Sequence, residues 1–111
     1  MQIVDWMCDK VLRHELEPDQ QIPSVREIAV ELEVNPNTVM RSIERLLQSE
    51  IIYSQRGKGN FLSADAYQRI LEMRSERLMR DTLPQLASEM KLLGLTNDDL
   101  IHRLASIQPK P

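Results

Sequence analysis

Hydrophobic residues recur at helical spacing in the first part of the chain. Ile3, Met7 and Val11 fall on one stripe, with further apolar residues beside it. Apolar positions repeated every three or four residues predict an amphipathic helix. We therefore predict a first helix over residues 3–12, followed by a turn at residues 17–19, where a proline stands between two acidic residues.

Two further helices follow, and only a short connection separates them. Ser24, with Glu27 three residues later, is the signature of a capping box and predicts a second helix that ends near Leu32. Asn35 followed by Pro36 predicts the start of a third helix, because asparagine is a favoured N-cap and proline a favoured first helical residue. The predicted inner faces consist of Val25, Ile28, Ala29 and Leu32, then Val39, Ile43, Leu46 and Leu47. Two helices joined by such a tight turn are typical of a helix-turn-helix motif.

The third helix is followed by a pattern typical of strands. Residues 51–55 favour β-structure, residues 56–60 form a turn with two glycines, and residues 61–63 favour a returning strand. A two-stranded hairpin in this place is a wing.

The rest of the chain is helical and amphipathic. Residues 65–93 have helical periodicity, but Pro84 is tolerated only in a first turn, so we predict either two helices or one helix with a kink. Gly94 ends this segment and Thr96 begins a last helix. The apolar stripes contain Leu83, Leu86, Met90, Leu93, Leu100, Ile101, Leu104 and Ile107.

These elements predict a mostly α fold. A winged helix-turn-helix domain of three helices and a two-stranded β-wing occupies residues 1–63, and a short helical segment occupies residues 64–108. A segment of 45 residues is too small to hold a core alone. We therefore expect the same segment of a second chain to cover its apolar stripes in a homodimer.

Composition agrees with a globular protein. Hydrophobic residues make up 41% and charged residues 28% of the 111 positions. No apolar stretch has the length of a membrane span, and no basic segment precedes an apolar run at the start, so we expect neither a span nor a signal peptide. Cys8 is alone and lies on an apolar stripe, which favours a buried core thiol and a cytoplasmic protein.

Charge is distributed unevenly along the chain. The net charge is −3, but residues 1–35 carry −5, residues 36–64 carry +2 and residues 65–111 carry none. The third helix and the wing are thus the basic part. An acidic total is compatible with DNA binding through one basic face, and it should weaken non-specific binding.

Three motifs closely resemble those of the GntR family of bacterial regulators. They are IPSVREIA at 22–29, VNPNTV at 34–39 and RGKGNFL at 56–62, in the family's order and spacing. The short helical remainder is similar to that of the YtrA-like branch, which has a helical dimerisation tail and no large ligand-binding domain. This resemblance implies a DNA-binding regulator that often represses an operon containing its own gene and a transporter.

The sequence departs from the family pattern at several positions. Residues other than glycine stand at four places where glycine is common: His14, Asp19, Glu33 and Glu50. A left-handed backbone at Glu33 or Glu50 would cost about 1–2 kcal/mol at each site. Pro36 and Met40 stand where many members have DNA-contacting arginines, so we expect fewer or different base contacts.

A recognition helix enters the major groove with its first turns towards the bases. Here those turns contain Asn37, Thr38 and Arg41, and asparagine can pair with adenine and arginine with guanine. Asn35 either caps the helix only or also contacts phosphate. The resemblance places Arg26, in the first turn of the second helix, against DNA.

The predicted wing tip completes the DNA face. Gly57 and Gly59 form the turn and let the backbone approach the duplex, while Arg56 and Lys58 add phosphate or minor-groove contacts. The candidate DNA-binding residues are therefore Ser24, Arg26, Asn35, Asn37, Thr38, Arg41, Arg56, Gly57, Lys58 and Gly59.

Two other classes of function are weighed against this one. A winged helix that binds protein would fit the acidic first third, but the polar first turn of the third helix and the glycine-rich tip argue against it. An enzyme would need a catalytic set, and none is evident. The expected partners are double-stranded DNA and a second copy of the chain, with no cofactor, metal or membrane, and no residue indicates a small-molecule pocket.

Overall fold

The computed structural model describes residues 2–108, and most of them are helical. The elements in chain order are α1 (Ile3–Leu12), α2 (Val25–Leu32), α3 (Pro36–Gln48), β1 (Ile52–Gln55), β2 (Gly59–Leu62), α4 (Ala66–Arg77), a π-helical turn (Leu78–Thr82), α5 (Leu83–Leu93) and α6 (Asn97–Ile107). This confirms the predicted mostly α fold with its two-stranded wing. Over residues 2–108, every helix is too short or too polar to cross a membrane.

The chain divides into two compact units, one up to Met73 and one from Arg74. The first contains α1, α2, α3, the wing and most of α4. Its core includes Ile28, Val39 and Leu46, as the sequence predicts, and Cys8 is fully buried there. Further members of the core are Ile3, Met7, Val11, Ile22, Ala29, Ile43, Ile51, Ile52, Leu62, Ala66 and Ile70.

The starts of α2 and α3 are fixed by their caps. The Ser24 amide donates to Glu27 Oε1 and the Glu27 amide donates to Ser24 Oγ, each over 3.1 Å, which completes the predicted capping box. The hydrogen bond from the Ser24 amide, and to a lesser extent one from the Ser24 hydroxyl, hold the pKa of Glu27 below its ordinary value. At α3 the Asn37 amide donates to Asn35 Oδ1 over 2.8 Å, and Pro36 stands in the first turn.

The chain turns at the four positions where the family commonly has glycine. All four have a left-handed backbone, with φ between 55° and 63°. Glu33 terminates α2 and so makes the tight turn before α3, and Glu50 precedes the wing. The structure therefore keeps the backbone that glycine favours but fills these positions with other residues: His14, Asp19, Glu33 and Glu50.

The wing is supported by the loop between α1 and α2. β1 and β2 pair in antiparallel register, with Tyr53 opposite Phe61. Residues 19–22 run along the other edge of β2, where the Asp19 amide donates to the Leu62 carbonyl and the Ile22 amide to the Asn60 carbonyl. The hairpin is thus bonded along both edges of β2, which steadies a pair of four-residue strands.

In the second unit, the helix passes Pro84 without a new start. Thr82 is helical and its side chain makes no cap, so of the two predicted alternatives the structure excludes a separate helix that starts at Thr82. The Leu83 amide donates to the Leu78 carbonyl, five residues back, in the π-helical turn that precedes the proline. Proline has no amide hydrogen to donate to the helix. The wider turn accommodates it, because its hydrogen bonds join residues five apart instead of four.

The predicted end of α5 and start of α6 are confirmed. Gly94 takes φ 67° after α5, a conformation that favours glycine. Thr96 caps α6 in a second capping box with Asp99, whose pKa is held below its ordinary value by the Thr96 amide.

Candidate nucleic-acid interface

One face of α3 is polar and exposed while the other is anchored in the core. Val39 and Ile43 are buried, whereas Asn37, Thr38 and Arg41 are exposed. At 3.6 residues per turn, Asn37 and Arg41 lie one turn apart on the outward side. The core contacts hold this helix by one side and leave its first two turns to meet a partner.

Asn35 stands at the start of α3, where both interpretations of the sequence expect a helix cap. Asn35 does cap the helix, since its side-chain oxygen accepts the Asn37 amide bond. Its side chain is also exposed, so the cap lies at the surface. The Thr38 and Val39 amides donate to the Asn35 carbonyl, so an anion such as phosphate would be attracted here by the positive end of the helix dipole.

The first turn of α2 presents a second polar surface. Arg26 is exposed one residue after the start of the helix. Ser24 is exposed as well, and its oxygen accepts the Glu27 amide bond. The capping box therefore holds Ser24 at the exposed start of α2, beside Arg26.

The wing tip projects exposed cationic side chains. Arg56 and Lys58 are exposed and flank Gly57, which takes φ 77°. A side chain at Gly57 would meet no neighbour, so this glycine is needed for its backbone conformation. The Lys58 amide donates to the Gln55 carbonyl over 3.0 Å, which closes the turn.

Two contacts of the wing were not anticipated from the sequence. The Tyr53 hydroxyl donates to Asp19 Oδ1 over 2.9 Å, and the Gln21 side-chain amide donates to the Lys58 carbonyl over 2.7 Å. Both join residues more than 30 positions apart, so no local spacing signals them. Asp19, the acceptor of the first, holds the pKa of Tyr53 above its ordinary value.

Acidic and basic groups near the wing are partly paired. Glu50 lies 3.4 Å from Arg69 of α4, and Arg69 also bonds Asp65. Arg45 of α3 is exposed. These pairs are exposed and contribute little to stability.

A second candidate surface lies within the second unit. An apolar groove of about 360 Å³ runs between α5 and α6. Six of the eight apolar residues expected to be covered in a dimer line it: Leu83, Leu86, Met90, Leu100, Ile101 and Leu104. Leu93 and Ile107 are exposed outside this lining. Ile101 remains 61% exposed, which is unusual for an isoleucine that faces other apolar residues.

A capped helix-turn-helix, an exposed polar first turn on its second helix and a basic wing together define a winged helix-turn-helix DNA-binding protein. Residues 1–62 match the family of bacterial regulatory proteins called gntR. The chain therefore belongs to the GntR family of DNA-binding transcription regulators, which are not enzymes.

Individual relatives resemble the chain over almost its whole length. It is 35% identical to the uncharacterized HTH-type transcriptional regulator YhcF of Bacillus subtilis, over 91% of this chain and 82% of that protein. It is 30% identical to the HTH-type transcriptional repressor YtrA of the same organism, over 89% of this chain and 75% of that protein. This supports the predicted likeness to the YtrA-like branch.

A solved structure has the same fold. A GntR family transcriptional regulator from Listeria monocytogenes superposes with a TM-score of 0.80 and 32% identity, covering 96% of this chain and 92% of the other. The fold of the helical tail thus recurs together with that of the winged unit.

Proposed function

We propose that this regulator is a cytoplasmic repressor that binds a pseudo-palindromic DNA operator as a homodimer. The observation that carries the proposal is the exposed apolar groove between α5 and α6, in a chain whose other unit presents one DNA-reading helix. Repression follows the relative YtrA, which is named a repressor.

The α3 helix supplies the base-reading residues in this proposal. Asn37, Thr38 and Arg41 meet base edges in the major groove, while Asn35 contacts phosphate at the positive end of the helix dipole. The burial of Val39 and Ile43 supports these roles, because it turns the opposite, polar side of the helix towards solvent.

The flanking elements fix the helix on the duplex. Arg26 and Ser24 contact DNA from the start of α2, and the tip residues 56–59 contact phosphates or the minor groove. The two glycines of the tip leave the backbone unshielded, so it can approach closely.

The division of labour follows the predicted domains. Residues 1–63 bind DNA and residues 64–108 join two chains. α4 links the two roles, because Ala66 and Ile70 near its start are buried in the core of the winged unit.

Dimerisation has a direct purpose in recognition. One recognition helix reads only a few base pairs, whereas two helices related by a two-fold axis read two half-sites about one turn of DNA apart. Each correctly read base pair adds about 1–3 kcal/mol of discrimination, so doubling the site raises specificity strongly.

A mobility-shift titration tests the proposal. The probe is DNA upstream of the protein's own gene, with a scrambled duplex of equal length as competitor, over a range of salt concentrations. We expect a specific complex with two chains per duplex whose affinity falls as salt rises. Equal binding to the scrambled duplex would refute the operator, and one chain per duplex would refute the dimer.

A further inference from the structure

Gln21 lies outside every DNA-binding motif, yet it contacts the tip of the wing. Its side-chain nitrogen donates to the Lys58 carbonyl oxygen over 2.7 Å, across 37 residues of sequence. Both residues are exposed, so the bond spans the surface between the α1–α2 loop and the hairpin.

The backbone of Gln21 is itself held against the hairpin. Gln21 forms an antiparallel bridge with Phe61 of β2. The neighbouring bonds are Leu62 amide to Gln20 carbonyl over 2.9 Å and Ile22 amide to Asn60 carbonyl over 3.0 Å. Because its backbone is fixed in this way, the Gln21 side chain can hold the peptide group of Lys58 in place.

Gly59 provides the space for this contact. A Cβ atom on Gly59 would lie 2.8 Å from the Gln21 side-chain nitrogen, closer than two such atoms approach. Any larger residue there would therefore displace the amide from the Lys58 carbonyl. Gly59 thus has a packing role in addition to its φ of 120°.

We infer that Gln21 is a positioning residue that fixes the wing tip, and with it Lys58, relative to the start of α2. Gln21 precedes the N-cap Ser24 by three residues. The same short segment therefore contains the start of α2, which presents Arg26, and the side chain that bonds the wing tip. The inference rests on the proposed DNA face, because it concerns how Lys58 reaches the duplex. Without the bond, the tip samples more orientations and Lys58 loses part of its contact with phosphate.

Gln21→Met tests this, since methionine has a similar length but no amide donor. Gln20→Ala is the matched control, because the Gln20 side chain only accepts a local bond from the Glu17 amide over 2.9 Å. NMR relaxation of the tip amides reports its mobility, and titration of the duplex that the wild type prefers reports affinity.

We expect Gln21→Met to lower the order parameters of residues 57–59 and to weaken DNA binding by roughly twofold to tenfold, the range of one hydrogen bond. Lys58→Ala should then reduce DNA affinity by a smaller factor in the Gln21→Met background than in the wild type. The Gln20→Ala control should change neither measurement, and all variants should melt near the wild type.

Two results would overturn the positioning role: unchanged order parameters at the tip in Gln21→Met, or a fully additive cost of Lys58→Ala. Failure of the proposed DNA face looks different. In that case Lys58→Ala alone leaves affinity unchanged while the tip of Gln21→Met still becomes mobile, which refutes the link from tip order to binding.

Discussion

Single residues carry an unusual backbone in this protein. Between residues 2 and 108, the four residues other than glycine with a left-handed backbone all stand where the family commonly has glycine. The family resemblance was able to locate them, because a turn requires its backbone whatever the side chain. Only the structure shows how Asp19 is used further, as the acceptor of the Tyr53 hydroxyl.

Restoring glycine at Glu33 should stabilise the fold. Glu33→Gly relieves about 1–2 kcal/mol of left-handed strain and loses about 0.5–1 kcal/mol to the greater freedom of the unfolded chain, so the net gain is about 0.5–1 kcal/mol. Glu31→Gly, in the exposed last turn of α2, is the control and should destabilise by up to about 1 kcal/mol. Urea denaturation measures both, and a loss of stability in Glu33→Gly would contradict the strain argument.

DNA affinity should depend on Arg26 and Lys58. Arg26→Ala should cost about 1–3 kcal/mol of binding free energy if it reads a base, and Lys58→Ala should reduce the salt slope by about one unit. Lys91→Ala, an exposed cation of α5, is the control. Fluorescence anisotropy across salt concentrations checks this, and unchanged affinity in both folded variants would remove these residues from the DNA face.

At the scale of elements, local signals predicted the helices well. Ser24, Asn35 and Thr96 each mark a start that the structure confirms, because a cap acts within three residues of itself. The wing was predicted in outline, but its third edge from residues 19–22 was not, since that pairing joins distant segments. The π-helical turn before Pro84 was left open, because periodicity alone cannot show how a helix absorbs a missing amide.

The first turn of α3 should set sequence preference. Asn37→Ala removes a side chain that can bond adenine while its backbone amide keeps the Asn35 cap. We expect selection from random DNA to yield a relaxed preference at one position of each half-site. Gln48→Ala, exposed in the last turn of α3, should leave the preference unchanged. Identical preferred sequences for wild type and Asn37→Ala would argue against the assignment.

The cap of α2 should make stability depend on pH. Because the pKa of Glu27 is lowered on folding, its ionised form stabilises the fold above the ordinary pKa of 4.5, and this contribution is lost as the pH falls through the lowered value. Glu27→Gln keeps an oxygen to accept the Ser24 amide but cannot titrate. Thermal melts between pH 7 and pH 3 should show a smaller loss in this variant than in the wild type. Equal losses of thermal stability in the variant and the wild type would mean that ionised Glu27 does not stabilise the fold through the cap.

At the scale of the whole molecule, the groove between α5 and α6 predicts the assembly. Ile101→Asp places a charge among its apolar residues, and the cost of burying that charge should separate the two chains. We expect a dimer of the wild type and a monomer of the variant by light scattering at micromolar concentration, with much weaker operator binding by the monomer.

Leu92→Asp is the control for this experiment. Leu92 is 83% exposed and does not line the groove, so its charge should be tolerated in the dimer. A wild-type protein that runs as a monomer would overturn both the dimer and the palindromic operator.

The uneven charge of the molecule also affects how it finds its site. The first 35 residues carry −5, and six of their eight acidic side chains are exposed. A genome offers about 10⁶–10⁹ competing non-specific sites, and these normally sequester most copies of a regulator. The acidic surface of this protein is repelled by non-specific DNA, and only its basic face is attracted. A larger share of the protein molecules therefore stays free in solution. A small number of molecules per cell should therefore be enough to keep an operator occupied.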